Sequence, residues 1–280
     1  MNTKPNYLKI QLAFALLLAV QWAYAQTLRR PMAAPYTGFG AYSIHHLDVF
    51  SFTANQASLA QLKNMAAGVY GERRFLLSQL NNSSAVVGVP TQSGNFGLKT
   101  GYSGFSDYNE TQIGLAYARS MGNKVDIGVQ FNYNGIRATG YGNASAISVE
   151  AGAIFHISDK LHTGFHISNP AGGRFGKDQQ EKLPSVYTAG MGYDASEKFF
   201  LSIELIKEED QPINAEAGIQ YTFISQLLAR IGISSATSSV WMGFGFLLKS
   251  FRLDMAASYH PQLGITPGLL LLFNFSKKDN

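Results

Sequence analysis

The chain has 280 residues, of which only 14% are charged, and it contains no cysteine. Soluble domains carry about 25% charged residues, and a chain without cysteine cannot form disulfides, thiolate metal centres or cysteine nucleophiles. The net charge of +4 is scattered along the chain rather than clustered, so nucleic acid is not an expected partner.

The first 25 residues have the three-part layout of a cleavable secretory signal. Lys4 and Lys9 precede an apolar stretch at 10–20, and Ala23 and Ala25 supply small residues before the cleavage site. A membrane anchor is the alternative, but 11 apolar residues are too few to cross a bilayer core of about 30 Å. We predict a Sec-type signal peptide at 1–25 and a mature protein outside the cytoplasm. Later in the chain no apolar run reaches the roughly 18 residues of a transmembrane helix.

The segment 26–64 follows, and its stretch 53–62 predicts a short helix with Thr53 or Asn55 as the N-cap. We expect this segment to form a helical hatch in or beneath the mouth of a barrel, and a disordered leader is the alternative. The stretch 269–273 (LLLLF) is apolar on both faces of its strand, so part of the lumen must be packed by something. The segment 26–64 is the expected filler.

From residue 65 onward, apolar and polar residues alternate with a period of two, which predicts β-strands. In 125–134 (VDIGVQFNYN) the apolar residues share one face, while glycine, amides and Asp126 share the other. An apolar face with aromatic ends and a polar second face are typical of a transmembrane antiparallel β-barrel. The predicted strands are 66–78, 82–91, 94–105, 110–121, 124–138, 144–157, 160–168, 184–194, 198–207, 212–223, 226–234, 238–248, 250–260 and 265–275.

We therefore predict an all-β protein with its barrel at 65–276 and a periplasmic tail at 277–280. Short turns alternate with looser loops, as in outer-membrane barrels. The longest loop, 169–183, is expected outside the cell and is a candidate docking surface for a protein partner. A solvated loop without a partner is the alternative. The candidate docking residues are Arg174, Lys177, Asp178, Glu181 and Lys182.

The alternation also assigns seven charged side chains to the inside of the barrel. Buried ion pairs that brace a narrow lumen would explain them, and a transport path is the alternative. No catalytic, metal or cofactor site is predicted, and the sequence has no Gly-x-Ser-x-Gly elbow with triad partners in order. The predicted lumen-lining residues are Asp126, Glu150, Glu204, Glu216, Arg230, Arg252 and Asp254.

The order of several motifs resembles the PorV/PorQ-type barrels, a branch of the FadL-like outer-membrane proteins associated with type IX secretion. The motifs are an acidic and aromatic lead at 48–50, ANQASLAQL at 54–62, GVYGERRF at 68–75, IGLAYARSMGNKVDIGVQFNY at 113–133 and LPSVYTAGMGYD at 183–194. One departure is the triplet at 55–57, which reads Asn-Gln-Ala where FadL-like chains commonly carry Asn-Pro-Ala.

The resemblance implies a non-enzymatic, FadL-like barrel of about 14 strands in the outer membrane, surrounded by its lipids. It also implies a partner, shuttle or accessory subunit in protein export or surface attachment, with protein partners in an outer-membrane complex. The alternative from the same fold is a FadL-like channel that passes small hydrophobic molecules, which would then be its ligands.

Overall fold

The computed structural model describes Phe39 and residues 41–176, 181–236 and 239–275. The predicted signal peptide at 1–25 and the predicted tail at 277–280 lie outside the described residues. No helix in this part of the chain is long and apolar enough to cross a membrane.

Fourteen antiparallel strands form a closed barrel, which confirms the predicted fold class. Strands that follow each other in the chain are paired, and the first strand closes the barrel by pairing with the last. A separate two-stranded hairpin lies between the seventh and eighth barrel strands. The strands are β1 (Ala66–Arg73), β2 (Asn81–Thr91), β3 (Gly94–Gly104), β4 (Tyr108–Met121), β5 (Val125–Ala138), β6 (Gly142–His156), β7 (Leu161–Ser168), β8 (Arg174–Phe175), β9 (Glu181–Lys182), β10 (Val186–Ser196), β11 (Phe199–Glu208), β12 (Asn214–Ile224), β13 (Leu227–Ser234), β14 (Ser239–Leu248), β15 (Phe251–His260) and β16 (Gly264–Asn274).

The largest difference between a predicted and an observed boundary is at β1, which is predicted to reach residue 78 and ends at Arg73. Phe75 and Leu76 have positive φ angles of 52° and 61°, which a regular strand does not include. Two short 3-10 helices, Arg74–Leu76 and Ser78–Leu80, connect β1 to β2 instead.

Short turns lie at one end of the barrel, which we call the turn end, and longer connections lie at the other, which we call the loop end. The outer wall between them is apolar, with exposed side chains such as Ile113, Phe131 and Met242. Aromatic pairs lie near the turn end, for example Phe251 and Phe273, whose ring centroids are 4.6 Å apart. A strand wall of this kind is typical of a barrel that crosses a lipid bilayer.

Phe39 and residues 41–64, which we call the plug, lie inside the barrel. The plug has two 3-10 helices, Val49–Thr53 and Gln56–Gln61, rather than the single helix predicted at 53–62. Asp48 caps the first helix and Asn55 caps the second. Asn55 has extended backbone angles as an N-cap, so it separates the two helices.

The plug forms the main apolar core of the molecule with the inner face of the barrel wall. Val49, Phe50 and Phe52 are buried in one cluster with Leu270 and Leu272 of β16. The neighbouring Leu269 and Leu271 are exposed on the outer wall. Both faces of β16 are therefore apolar because one faces outward and the other contacts the plug.

Glycines on the inner faces of the strands leave room for the plug. A Cβ atom added to Gly128 would lie 2.5 Å from the backbone carbon of Gln56, and one added to Gly152 would lie 2.0 Å from the side-chain oxygen of Asn55. No side chain fits at such distances without displacing the plug backbone or its cap. The plug backbone thus lies directly against β5 and β6.

Candidate functional site

The seven charged residues predicted to line the lumen have side chains that are buried, or half-buried for Arg252. They do not form one site. The structure divides them into an arginine cluster, an acidic and histidine network, the surroundings of Glu150, and a pair of opposed glutamates. Their role as ion-pair braces or as a transport path remains a prediction.

The arginine cluster joins β13 and β15 to the plug. Arg230 Nη1 donates to Asp254 Oδ2 at 3.0 Å, and Arg252 Nε donates to Asp254 Oδ1 at 3.0 Å. Arg252 also forms an ion pair with Asp48, which caps the first plug helix. Arg230 Nε donates to Gln220 at 2.7 Å. Each charge has an opposite charge as partner, and the ion pair of Arg252 with Asp48 connects the cluster to the plug.

A network of carboxylates and imidazoles crosses four neighbouring strands, from β5 to β10. His156 Nε2 lies 2.8 Å from Asp126 Oδ2, and its Nδ1 lies 2.9 Å from His162 Nδ1. His162 Nε2 lies 3.3 Å from Asp194 Oδ2, and Ser43 of the plug donates to Asp194 at 2.7 Å. The network anchors the start of the plug.

Glu150 of β6 contacts polar side chains of the plug and of both neighbouring strands. It accepts hydrogen bonds from Gln56 of the plug at 2.6 Å and from Asn132 at 2.7 Å. His166 Nε2 lies 3.1 Å from the same carboxylate. Glu150 therefore connects the second plug helix to β5 and β7.

Two other buried ionisable residues, Lys99 and Glu204, differ from the groups above because neither has an ion-pair partner among the described residues. Lys99 of β3 has no hydrogen bond there either, and it is only 4% exposed. Glu204 of β11 is also 4% exposed and lies directly opposite Glu216 of β12 on the same inner face. A Cβ at Gly190 would contact both the Tyr42 ring and the Glu204 side chain, so these two are neighbours.

Sequence reasoning missed Lys99 and Asp194. Both could have been found by the same alternation, because Lys99 lies between the outward residues Leu98 and Thr100, and Asp194 follows the outward Tyr193. What distinguishes the two residues is their surroundings: among the described residues Lys99 has no ion pair, whereas Asp194 belongs to the network. These surroundings come from strands distant in sequence.

An interior cavity of about 90 Å³ lies at the loop-end side of the plug. It is separated from the outside by the segment that carries β8 and β9, since Phe175 and Leu183 line it and are buried against Ala146. Its charged lining is formed by Lys99, Glu110, Glu150, His166 and Glu204.

A second pocket, of about 510 Å³, lies on the outer wall across β6, β7, β10 and β11. Most of its lining is apolar and points outward. His166 and Thr188, which are opposite each other in the pairing of β7 and β10, line both this wall pocket and the interior cavity. The apolar lining includes Ala151, Ala153, Phe165, Ala189, Leu205 and Ile213.

Of the candidate docking residues, Arg174 and Lys182 have side chains that the structure describes. Arg174 of β8 is exposed, whereas Lys182 of β9 donates to both carboxylate oxygens of Glu209 at 2.5 and 2.7 Å. These bonds hold the pKa of the Glu209 carboxyl below its usual value. Lys177 and Asp178 lie outside the described residues, and Glu181 is described by its backbone alone.

Solved structures share this fold. The monoaromatic hydrocarbon channel CymD is 12% identical, with 83% of this chain and 94% of that chain covered and a TM-score of 0.64. The toluene transporter TodX of Pseudomonas putida is 9% identical, with coverage of 88% and 97% and a TM-score of 0.63. A FadL homologue of Pseudomonas aeruginosa is 11% identical, with coverage of 89% and 97% and a TM-score of 0.56.

At these identities the likeness concerns the fold, and it agrees with the FadL-like architecture that the motifs imply. No protein-family model matches the chain. No curated protein matches it either. The finer assignment to PorV/PorQ-type barrels and to type IX secretion therefore has no support from these comparisons and stays a prediction.

Proposed function

We propose that this protein is a non-enzymatic outer-membrane channel for small, largely apolar molecules. The observation that carries the proposal is that His166 and Thr188 line both the interior cavity and the wall pocket, which lie on opposite sides of the barrel wall. The solved structures with this fold include channels named for monoaromatic hydrocarbons and toluene, which supports the same class of cargo. We propose the outer membrane as its location on the same grounds.

Because the plug blocks the barrel axis, the proposed path leaves the lumen through the barrel wall. The plug fills the turn-end half of the lumen and is held there by hydrogen bonds to Glu150, Asp126 and Asp194. A molecule in the interior cavity thus meets packed side chains along the barrel axis. At β7 and β10 the same two residues, His166 and Thr188, line the cavity and the wall pocket on either side of the wall.

Passage at this point requires the β7–β10 ladder to open, because the pairing is continuous from Leu161 to Ser168. A disulfide across the ladder tests this. Phe165 and Ala189 are directly opposite on the outer face, so the pair Phe165→Cys and Ala189→Cys places two thiols within disulfide reach. The chain has no cysteine of its own to interfere.

The measurement is uptake of N-phenyl-1-naphthylamine, an apolar dye that an intact outer membrane excludes, by Gram-negative cells that produce the protein. We expect oxidation of the double variant to lower dye uptake and dithiothreitol to restore it. The matched control is Leu98→Cys with Leu115→Cys, a paired position of β3 and β4 away from the wall pocket, which should respond to neither reagent. If cells that produce the unmodified protein take up the dye no faster than cells without it, the channel proposal is wrong.

The export role implied by the motif resemblance is the second candidate. Its structural basis is the exposed Arg174 in the longest connection of the barrel. Against it, Phe175, Leu183 and Lys182 of the same connection are engaged within the molecule. We therefore place it behind the channel, and a loop deletion described below separates the two.

A further inference from the structure

Two polar side chains that line the interior cavity lack hydrogen-bond partners among the described residues. Lys99 of β3 is 4% exposed and Gln112 of β4 is 7% exposed. In this part of the chain the Lys99 ammonium has no hydrogen bond, and the side-chain oxygen of Gln112, Oε1, has none either. Buried polar groups are nearly always hydrogen-bonded, so each of the two side chains indicates a missing partner in the cavity.

The charge of Lys99 is already balanced. Glu150 is the opposite charge that acts on it, and both residues line the cavity. What Lys99 lacks is therefore an acceptor for its N–H groups and not a counter-ion. A negatively charged ligand would be repelled by the Glu150 carboxylate, and a positively charged ligand would be repelled by the Lys99 ammonium. The partner that fits this cavity is uncharged.

The amide group of Gln112 is engaged on one side. Its Nε2 donates to Asn134 Oδ1 at 2.9 Å, and Asn134 Nδ2 donates to Ser148 Oγ at 3.0 Å. The donor side of the amide is thus bound to β5, while Oε1 is an acceptor without a donor. A partner of both side chains must therefore donate to Gln112 and accept from Lys99.

Lys99 and Gln112 are close enough to contact one small group together. Gln112 is opposite Gly101 in the pairing of β3 and β4, and Lys99 lies two residues before Gly101 on the same inner face. Diagonal neighbours of this kind are about 7–8 Å apart, a distance that long side chains can bridge. A hydroxyl is the smallest organic group that is uncharged and both donates and accepts a hydrogen bond.

The cavity also has apolar lining for the body of a molecule that carries such a group. Ile136, Phe175 and Leu183 line it together with the two polar side chains. Its volume of about 90 Å³ is several times what one water requires. We propose that the cavity binds a small alcohol or phenol. Its hydroxyl accepts from Lys99 and donates to Gln112, while its hydrocarbon part contacts the apolar side chains.

This inference rests on the proposed channel and narrows its cargo to apolar molecules that carry a hydroxyl. A bound molecule lies on the inner side of the wall at His166 and Thr188, which also line the cavity. Binding itself does not depend on passage through that wall. The test therefore measures binding to the purified chain.

The measurement compares phenol with toluene, which has a methyl group in place of the hydroxyl. The full chain in detergent is dialysed to equilibrium against each compound, and empty micelles of the same detergent give the reference partition. We expect the protein to favour phenol over toluene at least tenfold more than the micelles do, because phenol alone forms the two hydrogen bonds. A phenol preference equal to that of the micelles would overturn the proposal.

Substitutions then assign the two hydrogen bonds. Lys99→Met and Gln112→Met should each lower the phenol preference at least threefold, since each removes one bond. Lys124→Met and Gln92→Met change the same residue types in exposed turns and should leave it unchanged. If both cavity variants keep the phenol preference of the unmodified chain, the site is wrong.

A second pair of compounds separates the roles of the two side chains. Anisole accepts a hydrogen bond but donates none, and ethylbenzene matches its size without any polar atom. The preference for anisole over ethylbenzene should disappear in Lys99→Met and persist in Gln112→Met. The reverse pattern would contradict the assigned roles.

The binding site and the channel fail separately. Dye uptake by cells together with a phenol preference no greater than that of micelles would remove this site and leave the channel. Selective phenol binding by a protein that does not increase dye uptake would remove the channel and leave a binding site without transport. If a cavity variant does not assemble, the phenol preference of the unmodified chain still decides the proposal.

Discussion

Val129 and Gln130 are adjacent in the sequence and have opposite environments. Val129 is 42% exposed on the outer wall, whereas Gln130 is fully buried and donates to Asn132 at 2.6 Å. The alternation predicts the two directions. It does not predict that the inner position is packed, because the plug that fills the lumen is far away in the sequence.

The outer position gives the first prediction at this scale. Val129→Arg places a charge in the middle of the apolar wall and should lower the free energy of unfolding in lipid vesicles by about 2–4 kcal/mol. Met121→Arg, at the turn-end terminus of β4 and equally outward, should cost only about 0–1 kcal/mol because it reaches the interface. Equal losses in guanidinium titrations of the two variants would contradict a membrane-facing wall.

At the scale of elements, the strands are the part that a sequence predicts well. A period of two is a local property, so β2 to β7 and β10 to β16 lie within a few residues of their predicted positions. The end of β1 is not predictable in this way, since it depends on the positive φ angles of Phe75 and Leu76. The caps of the two plug helices, Asp48 and Asn55, are local, and Asn55 is among the predicted caps. The contacts that hold the plug against β5 and β6 depend on residues distant in sequence, which no local pattern contains.

The plug and the inner-face glycines yield the prediction at this scale. Gly128→Val adds carbon atoms where the backbone of Gln56 already lies, so we expect the plug to leave its place while the ladder of β5 remains intact. Single-channel conductance in planar bilayers should then rise several-fold, and protease should cleave the plug. Gly71→Val is the control, because a Cβ there meets only a carbonyl oxygen at 4.0 Å. If Gly128→Val shows no higher conductance than Gly71→Val, the plug does not seal the barrel.

For the whole molecule, the decisive question is what the connection between β7 and β10 does. Its hairpin covers the interior cavity through Phe175 and Leu183, and Lys182 attaches it to Glu209 on the neighbouring connection. A cover and a docking surface are different roles for the same segment. The two roles predict different effects on dye uptake and on protein binding when the segment is deleted.

Deletion of 172–182 distinguishes these roles. The barrel should still assemble, because β7 and β10 pair through residues on either side of the deletion, from Ser168 and Val186 onward. Heat-modifiable mobility on gels checks this assembly. If the segment is a cover, the cavity loses Phe175, dye uptake persists or increases, and proteins that co-purify with the intact chain still co-purify. If it is a docking surface for protein export, those proteins are released while dye uptake is unchanged, and that result would assign an export role to this segment.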